Sequence, residues 1–253
     1  MPQGQGSRKA GSRAGGDAPD GDRAAGMPVT ILPGHPPVAI DSRASRRARR
    51  ITLRIGAADG RVTLTRPAGV PEAAALAFAR EREAWLRQKL RARPADIAVR
   101  TGTDLPVEGM PFAVAAARGR ARIEDGRLLV PAGRAGPGAA ALLKHLARER
   151  LATAADRHAA ALGVRWGPLA LRDPRGRWGS CTAAGRLMFS WRLAMAPPEV
   201  LDYVAAHEVA HRVHMDHSPA FWAAVERLRP DWRTARDWLR AEGPGLHRYR
   251  FDA

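Results

Sequence analysis

Two histidines four residues apart, with a glutamate directly after the first, stand in the run His207-Glu208-Val209-Ala210-His211. On a helix, positions i and i+4 share a face one turn apart, so both imidazoles can turn a nitrogen toward one ion. Zinc suits paired imidazoles. Glu208 lies one residue further round, where a carboxylate reaches the metal's water without coordinating and can accept its proton. The pattern predicts a zinc site at His207 and His211 with Glu208 as general base. The competing reading is a pair of satisfied core histidines. Clustering weighs against it, because four of the eight histidines fall between 207 and 217.

A zinc ion that keeps a place for water needs a third protein ligand. His214 and His217 both offer one. His214 shares the helical face but lies a further turn along, beyond easy reach of an ion centred between His207 and His211. His217 reaches back only if the helix ends first. Met215-Asp216 supplies a place to turn, and Ser218-Pro219 reads as an N-cap followed by proline at the first position of a new helix. His217 is preferred, at the spacing of the HExxHxxGxxH pattern, with His214 where that pattern has its glycine.

These residues need elements to hold them. Pro197 and Pro198 open a helix whose Val200, Val204, Ala205 and Val209 are apolar or small. Before it, Leu187, Phe189, Trp191 and Leu193 alternate as a strand, which either pairs an extended peptide along its edge or lies inside a sheet. Leu169 and Leu171 suggest another strand, and RGRWGSC a tight loop. Within that loop Arg177 is a candidate for an anionic substrate group or a solvated turn residue, and Cys181 is better read as a small buried residue than as a thiol nucleophile or ligand. Tyr203, one turn before His207, is a candidate oxyanion donor or core residue, while Phe221 and Trp222 should pack beneath the site.

Upstream, a helix is expected from about Ala139 to Leu162, stopped by Gly163. Short strands are expected at 112–117, 121–124 and 127–130. An amphipathic helix should run from Pro71 to about Arg93. Ile51, Leu53 and Ile55 alternate, then Asp59-Gly60 turns the chain into Val62 and Leu64, a hairpin preceded by the basic run Arg43, Arg46, Arg47, Arg49, Arg50 and Arg54. Residues 1–27 hold seven glycines and almost no large apolar side chains, the composition of a disordered tail, and Met27 is a candidate start. The chain therefore divides, as expected from sequence, into the tail 1–27, a β-rich basic unit over 28–135, and a metallohydrolase unit over 136–253.

Composition bounds the rest. The 253 residues are 45% hydrophobic and 26% charged, which excludes wholesale disorder and a collagen-like chain. A lone cysteine excludes an internal disulfide framework and a Cys-rich zinc module, and fits a reducing, cytoplasmic setting. No apolar leader or stretch of eighteen apolar residues appears, so neither secretion nor a membrane span is expected. The net charge is +17, and residues 28–159 hold +24 and −12 of it against +14 and −10 for residues 160–253. The excess marks the Arg43–Arg54 stretch as a candidate surface for nucleic acid or nucleotide, unless it reflects only an arginine-rich codon usage.

The run RWGSCTAAGRLMFSWRLAMAPPEVLDYVAAHEVAHRVHMDHSPAFW resembles the signature of the YgjP-like metallopeptidases, relatives of the SprT-like and WLM-type zinc proteases. RWGSC, WRL, PP, DYV, HExxH and HSxxFW occur in order, and RASRRARRITLRI with Trp85 extends the likeness over about 38–241. The resemblance implies an α+β protein, an N-terminal β-rich unit with helices packed on a zincin-like half with a short sheet and an HExxH helix. It implies a zinc metallopeptidase acting on protein or peptide, with His207, His211 and His217 as ligands and Glu208 as base. Two alternatives stand beside it. One is hydrolysis of nucleoside triphosphates such as UTP, which some YgjP-like proteins are assigned. The other is a nucleic-acid-associated protein with a protein-trimming or structural zinc site.

Overall fold

A computed structural model describes residues 29–57 and 59–252. The expected tail over 1–27 lies outside the described residues. Near the N-terminus, β1 (Val29–Leu32), β2 (Val38–Ser45), β3 (Thr52–Ile55) and β4 (Val62–Pro67) form a sheet in the order β1-β2-β4-β3, with β2 and β4 parallel. The expected hairpin is β3–β4, in register from Thr52↔Thr65 to Ile55↔Val62. The strand before it, β2, is hidden in the sequence because Asp41, Ser42 and Arg43 interrupt the apolar alternation of a strand that buries Val38, Ile40 and Ser42.

Helix α1 (Glu72–Glu81) and helix α2 (Glu83–Arg91) cover this sheet. The single helix expected over 71–93 is interrupted at Arg82, which leaves helical geometry (φ −103°, ψ 12°) and lays its guanidinium over the Phe78 ring at 4.3 Å. Ile40, Leu64, Ala75, Ala79 and Leu86 form a small closed core between helices and sheet.

The second core runs from Val99 to Leu246. It opens with β5 (Ile97–Ala98), β6 (Asp104–Val107), β7 (Met110–Ala117), β8 (Arg122–Glu124) and β9 (Arg127–Pro131), the last four ordered β6-β7-β9-β8. Helix α3 (Ala135–Leu162) follows, ending at Gly163 in left-handed geometry with φ 65°. Leu105, Val107, Val114, Leu128 and Val130 of the sheet are buried in the same cluster as Leu143, Ala147 and Leu151 of α3. The boundary expected at 135/136 falls inside this core, and the break between buried cores lies between Leu86 and Val99. Strand-rich composition groups β6–β9 with the N-terminal sheet, but side-chain burial groups them with α3.

A turn strengthens that grouping. Glu108 and Gly109 donate their backbone N–H groups to Ala194 and Met195 at 2.8 and 3.2 Å. Gly109 has φ 81°, and a Cβ there would lie 3.1 Å from Pro197, so the close approach needs glycine.

The remaining elements are β10 (Leu169–Arg172), β11 (Gly179–Cys181), β12 (Leu187–Ser190), a 3-10 helix at Trp191–Met195, α4 (Pro198–Ala210), α5 (Pro219–Leu228), α6 (Trp232–Ala241), α7 (Gly243–Leu246) and β13 (Tyr249–Arg250). The sheet order β10-β12-β11 makes β12 the central strand, and RGRWGSC ends as the edge strand β11 rather than as loop alone. The strand expected to reach Leu193 stops at Ser190. Ser190 Oγ accepts the Arg192 N–H at 3.3 Å, and the buried Arg192 guanidinium donates to Asp173 at 2.7 and 3.0 Å and to the Leu246 and Tyr249 carbonyls at 2.7 and 3.1 Å. β13 pairs with β5 in parallel, Tyr249↔Ile97 and Arg250↔Ala98. The architecture is α+β. Among the described residues no helix is long and apolar enough to cross a membrane.

Candidate metal centre

Helix α4 is buried on nearly every face, so its orientation is fixed by contacts with α3, α5, α6 and β11. Its buried Asp202 carries the polar part of that fixation. One carboxylate oxygen lies 3.0 Å from His158 Nε2 of α3 and also pairs with Arg157, while the other accepts from Arg229 at 2.6 Å. Burial alone would raise the Asp202 pKa, but the His158 hydrogen bond and the two arginines outweigh it and hold it below the ordinary carboxylate value. DYV stands out in the sequence but this network does not, since His158, Asp202 and Arg229 come from three distant segments.

His207 and His211 lie one turn apart toward the C-terminal end of α4. Past His211 the chain turns, with His214 donating its backbone N–H to Ala210 at 3.1 Å. Asp216 Oδ1 accepts the Ser218 N–H at 3.1 Å, Ser218 Oγ accepts the Phe221 N–H at 3.4 Å, and α5 begins. The return brings His217 Nε2 to 3.1 Å from His207 Nε2. Ligand atoms of His207, His211 and His217 all lie within 4.8 Å of one another. The ring of His214 is outside that group, but its carbonyl oxygen lies 3.0 Å from His211 Nδ1.

The donor set fits a zinc ion. Two nitrogens on one tetrahedral zinc lie about 3.3 Å apart, close to the separation of the two Nε2 atoms. A carbonyl can only accept, so His211 Nδ1 carries the hydrogen and Nε2 keeps a lone pair. Burial, then the neighbouring His211 and His217, then Arg236 press the His207 pKa down to about 3. Burial likewise lowers that of His211. Both rings are therefore neutral, the form that binds metal. Phe221, fully buried, packs 4.5 to 4.9 Å from all three imidazoles and forms an apolar floor.

Glu208 is 5% exposed, and burial raises its pKa to about 8 against an opposing pull from Arg177. Its carboxyl group lies against the backbone of β11. A Cβ on Gly179 would come within 2.5 Å of Glu208 Oε1. Sequence reasoning misses Gly179, although a glycine inside a strand is a signal of close approach.

The other candidates are placed as follows. Cys181 is half-buried on β11, its thiol pKa raised by burial and by the charge of Glu208, and it is outside the histidine group. Arg177 is near enough to act electrostatically on Glu208. Tyr203 is buried, stacked on Trp232, with its ring 6.0 Å from His207, and its hydroxyl pKa is pushed up by burial to about 12. Trp222 stands 5.7 Å from His207 and 5.9 Å from His217.

The family model described as YgjP-like, metallopeptidase domain matches residues 49–242. No curated protein matches the chain. A solved structure, the metallopeptidase zymogen of Pyrococcus abyssi abylysin, aligns at 18% identity with a TM-score of 0.34, over 36% of this chain and 93% of that one.

Proposed function

This chain belongs to the YgjP-like metallopeptidase family, and we propose that it is a zinc-dependent peptidase in which His207, His211 and His217 hold the metal and Glu208 is the general base. The observation that carries the reading is the convergence of three imidazoles beside one buried carboxyl group. Zinc, when bound, supplies a Lewis acid that polarises the scissile carbonyl and acidifies water.

The chain's own residues supply the rest. The His214 carbonyl holds His211 in the tautomer that offers Nε2. Phe221 keeps water from the back of the imidazoles. Glu208, buried beside the histidines, is placed to take a proton from the attacking water and pass it to the departing amine. Gly179 leaves room for that carboxylate. β11 is the outer strand of its sheet, so its free edge can pair with an extended peptide alongside α4.

The arginine stretch gives no support to a nucleotide at these histidines. Asp59, in the β3–β4 turn, pairs with Arg175 of the loop that also carries Arg177. Arg46, Arg47, Arg49 and Arg50 lie before Thr52, at the opposite end of β3, where β2 and β4 also finish. They are exposed and make no side-chain ion pair among the described residues. Their placement supports an accessory polyanion surface instead.

The peptidase reading is tested by measuring metal content in the purified protein, then assaying the zinc-loaded form on an unfolded protein and on UTP. Cleavage of the protein that disappears in Glu208→Gln supports it. Phosphate release from UTP without proteolysis overturns it.

A further inference from the structure

The wall beside the histidines carries a charge that holding a metal does not require. Trp222 of α5 flanks His207 and His217, and Trp232 of α6 stacks on it with centroids 4.4 Å apart and planes 21° apart. The guanidinium of Arg236 lies over both indoles, 5.0 Å from Trp222 and 5.5 Å from Trp232. Three arginines lie on α6. Arg233 pairs with Glu226 at 2.8 Å and Arg240 with Asp237 at 3.3 Å, whereas Arg236 has no ion pair among the described residues and is only half-exposed.

An arginine resting on aromatic faces is attracted through its π face and keeps its in-plane N–H donors for an anion, in the fork that matches a carboxylate. Held by two indoles, it loses less side-chain freedom on binding than a solvated arginine would. It also adds positive charge beside the histidines, and so favours anionic groups there. Its contacts run from Arg236 to Trp222 and from Trp222 to the histidines, a span of no more than about three residues of extended chain at ~3.4 Å each.

Resting on the peptidase reading above, the geometry points to Arg236 on the Trp222–Trp232 stack as a specificity subsite that receives a substrate carboxylate within a few residues of the scissile bond. An acidic side chain and a peptide's own C-terminal carboxylate present the same chemistry, and the test separates them.

A peptide cleaved by the zinc-loaded wild type is remade with Glu, Gln or Lys at each of three positions on either side of the bond, as free acid and as C-terminal amide. The wild type is expected to prefer Glu over Gln at one position, or acid over amide, by about tenfold in kcat/KM, the size of one charge-assisted hydrogen bond. Arg236→Gln should collapse that ratio, mainly through KM, and Arg236→Lys should keep part of it. Binding of the preferred peptide to Glu208→Gln protein should weaken about tenfold when Arg236→Gln is added, a readout independent of turnover. If peptides are cleaved but the ratio is the same in Arg236→Gln, the inference is wrong while the peptidase reading stands. If no peptide is cleaved by zinc-loaded wild type, the peptidase reading fails and the subsite with it.

Discussion

His211 Nδ1 lies 3.0 Å from the carbonyl oxygen of His214, so the residue that follows the helix acts on the site through its backbone and not through its ring. That separation of roles makes the two downstream histidines distinguishable.

His217→Ala should lose zinc, because it removes one of three converging nitrogens. His214→Ala should retain it, since the carbonyl survives the substitution. Metal analysis of the purified variants decides between them, and the reverse pattern would overturn the ligand assignment.

Gly179→Ala should lower kcat sharply with zinc content unchanged. Its Cβ would press on Glu208 Oε1 at 2.5 Å, and moving a reacting group by about 1 Å costs on the order of 100-fold in rate. Parallel zinc and activity measurements check this, and normal turnover in Gly179→Ala would show that the carboxyl group does not depend on this gap.

The Asp202 network gives a pH dependence with a definite sign. A carboxylate whose folded pKa is depressed contributes stability that is present above its unfolded pKa, near 3.9, and lost as pH falls through the lower folded value. Asp202→Asn should therefore cost about 3 kcal/mol at neutral pH, by leaving Arg229 and His158 poorly paired, and progressively less as the pH is taken below 3.9. Urea unfolding of both proteins at pH 7 and near pH 3 measures the difference, and an equal gap at the two pH values would contradict the argument.

Replacing Arg46, Arg47, Arg49 and Arg50 together by Ser should weaken retention on DNA or heparin and flatten its salt dependence, by roughly one unit of slope for each phosphate that is no longer neutralised. Cleavage of a short neutral peptide should not change, because the four lie at the end of β3 away from the Asp59–Arg175 pair. Undiminished retention would return the basic stretch to codon usage.

What the sequence makes legible follows the range of the forces involved. The relation of His207 to His211 is set by helical period, and that of His217 by a cap two residues long, so both are local. The depth of Glu208 beneath Gly179 depends on β11 meeting α4, and the tie from Asp202 to His158 and Arg229 joins residues 44 and 27 positions away. Neither leaves a periodic trace. Alternation at Leu187, Phe189, Trp191 and Leu193 misleads for the same reason, because a buried Arg192 turns the chain at Ser190 by contacts with residues 173, 246 and 249. The division between the two cores leaves no mark in composition, because a β-rich segment does not say which helix its sheet will pack against.

The parallel pairing of β13 with β5 has a consequence in time. A chain made from its N-terminus has β5 and Arg192 in hand long before Leu246 and Tyr249 exist to receive them. Asp96 likewise waits for Arg250, to which it pairs at 2.6 Å. During synthesis the segment joining the two cores stays unclasped, and Arg192 lacks both of its carbonyl partners, until residues 246–250 have emerged. A nascent chain can thus hold the whole of helix α4 while the strand pair that ties the segment between the two cores to the chain's last residues is still missing.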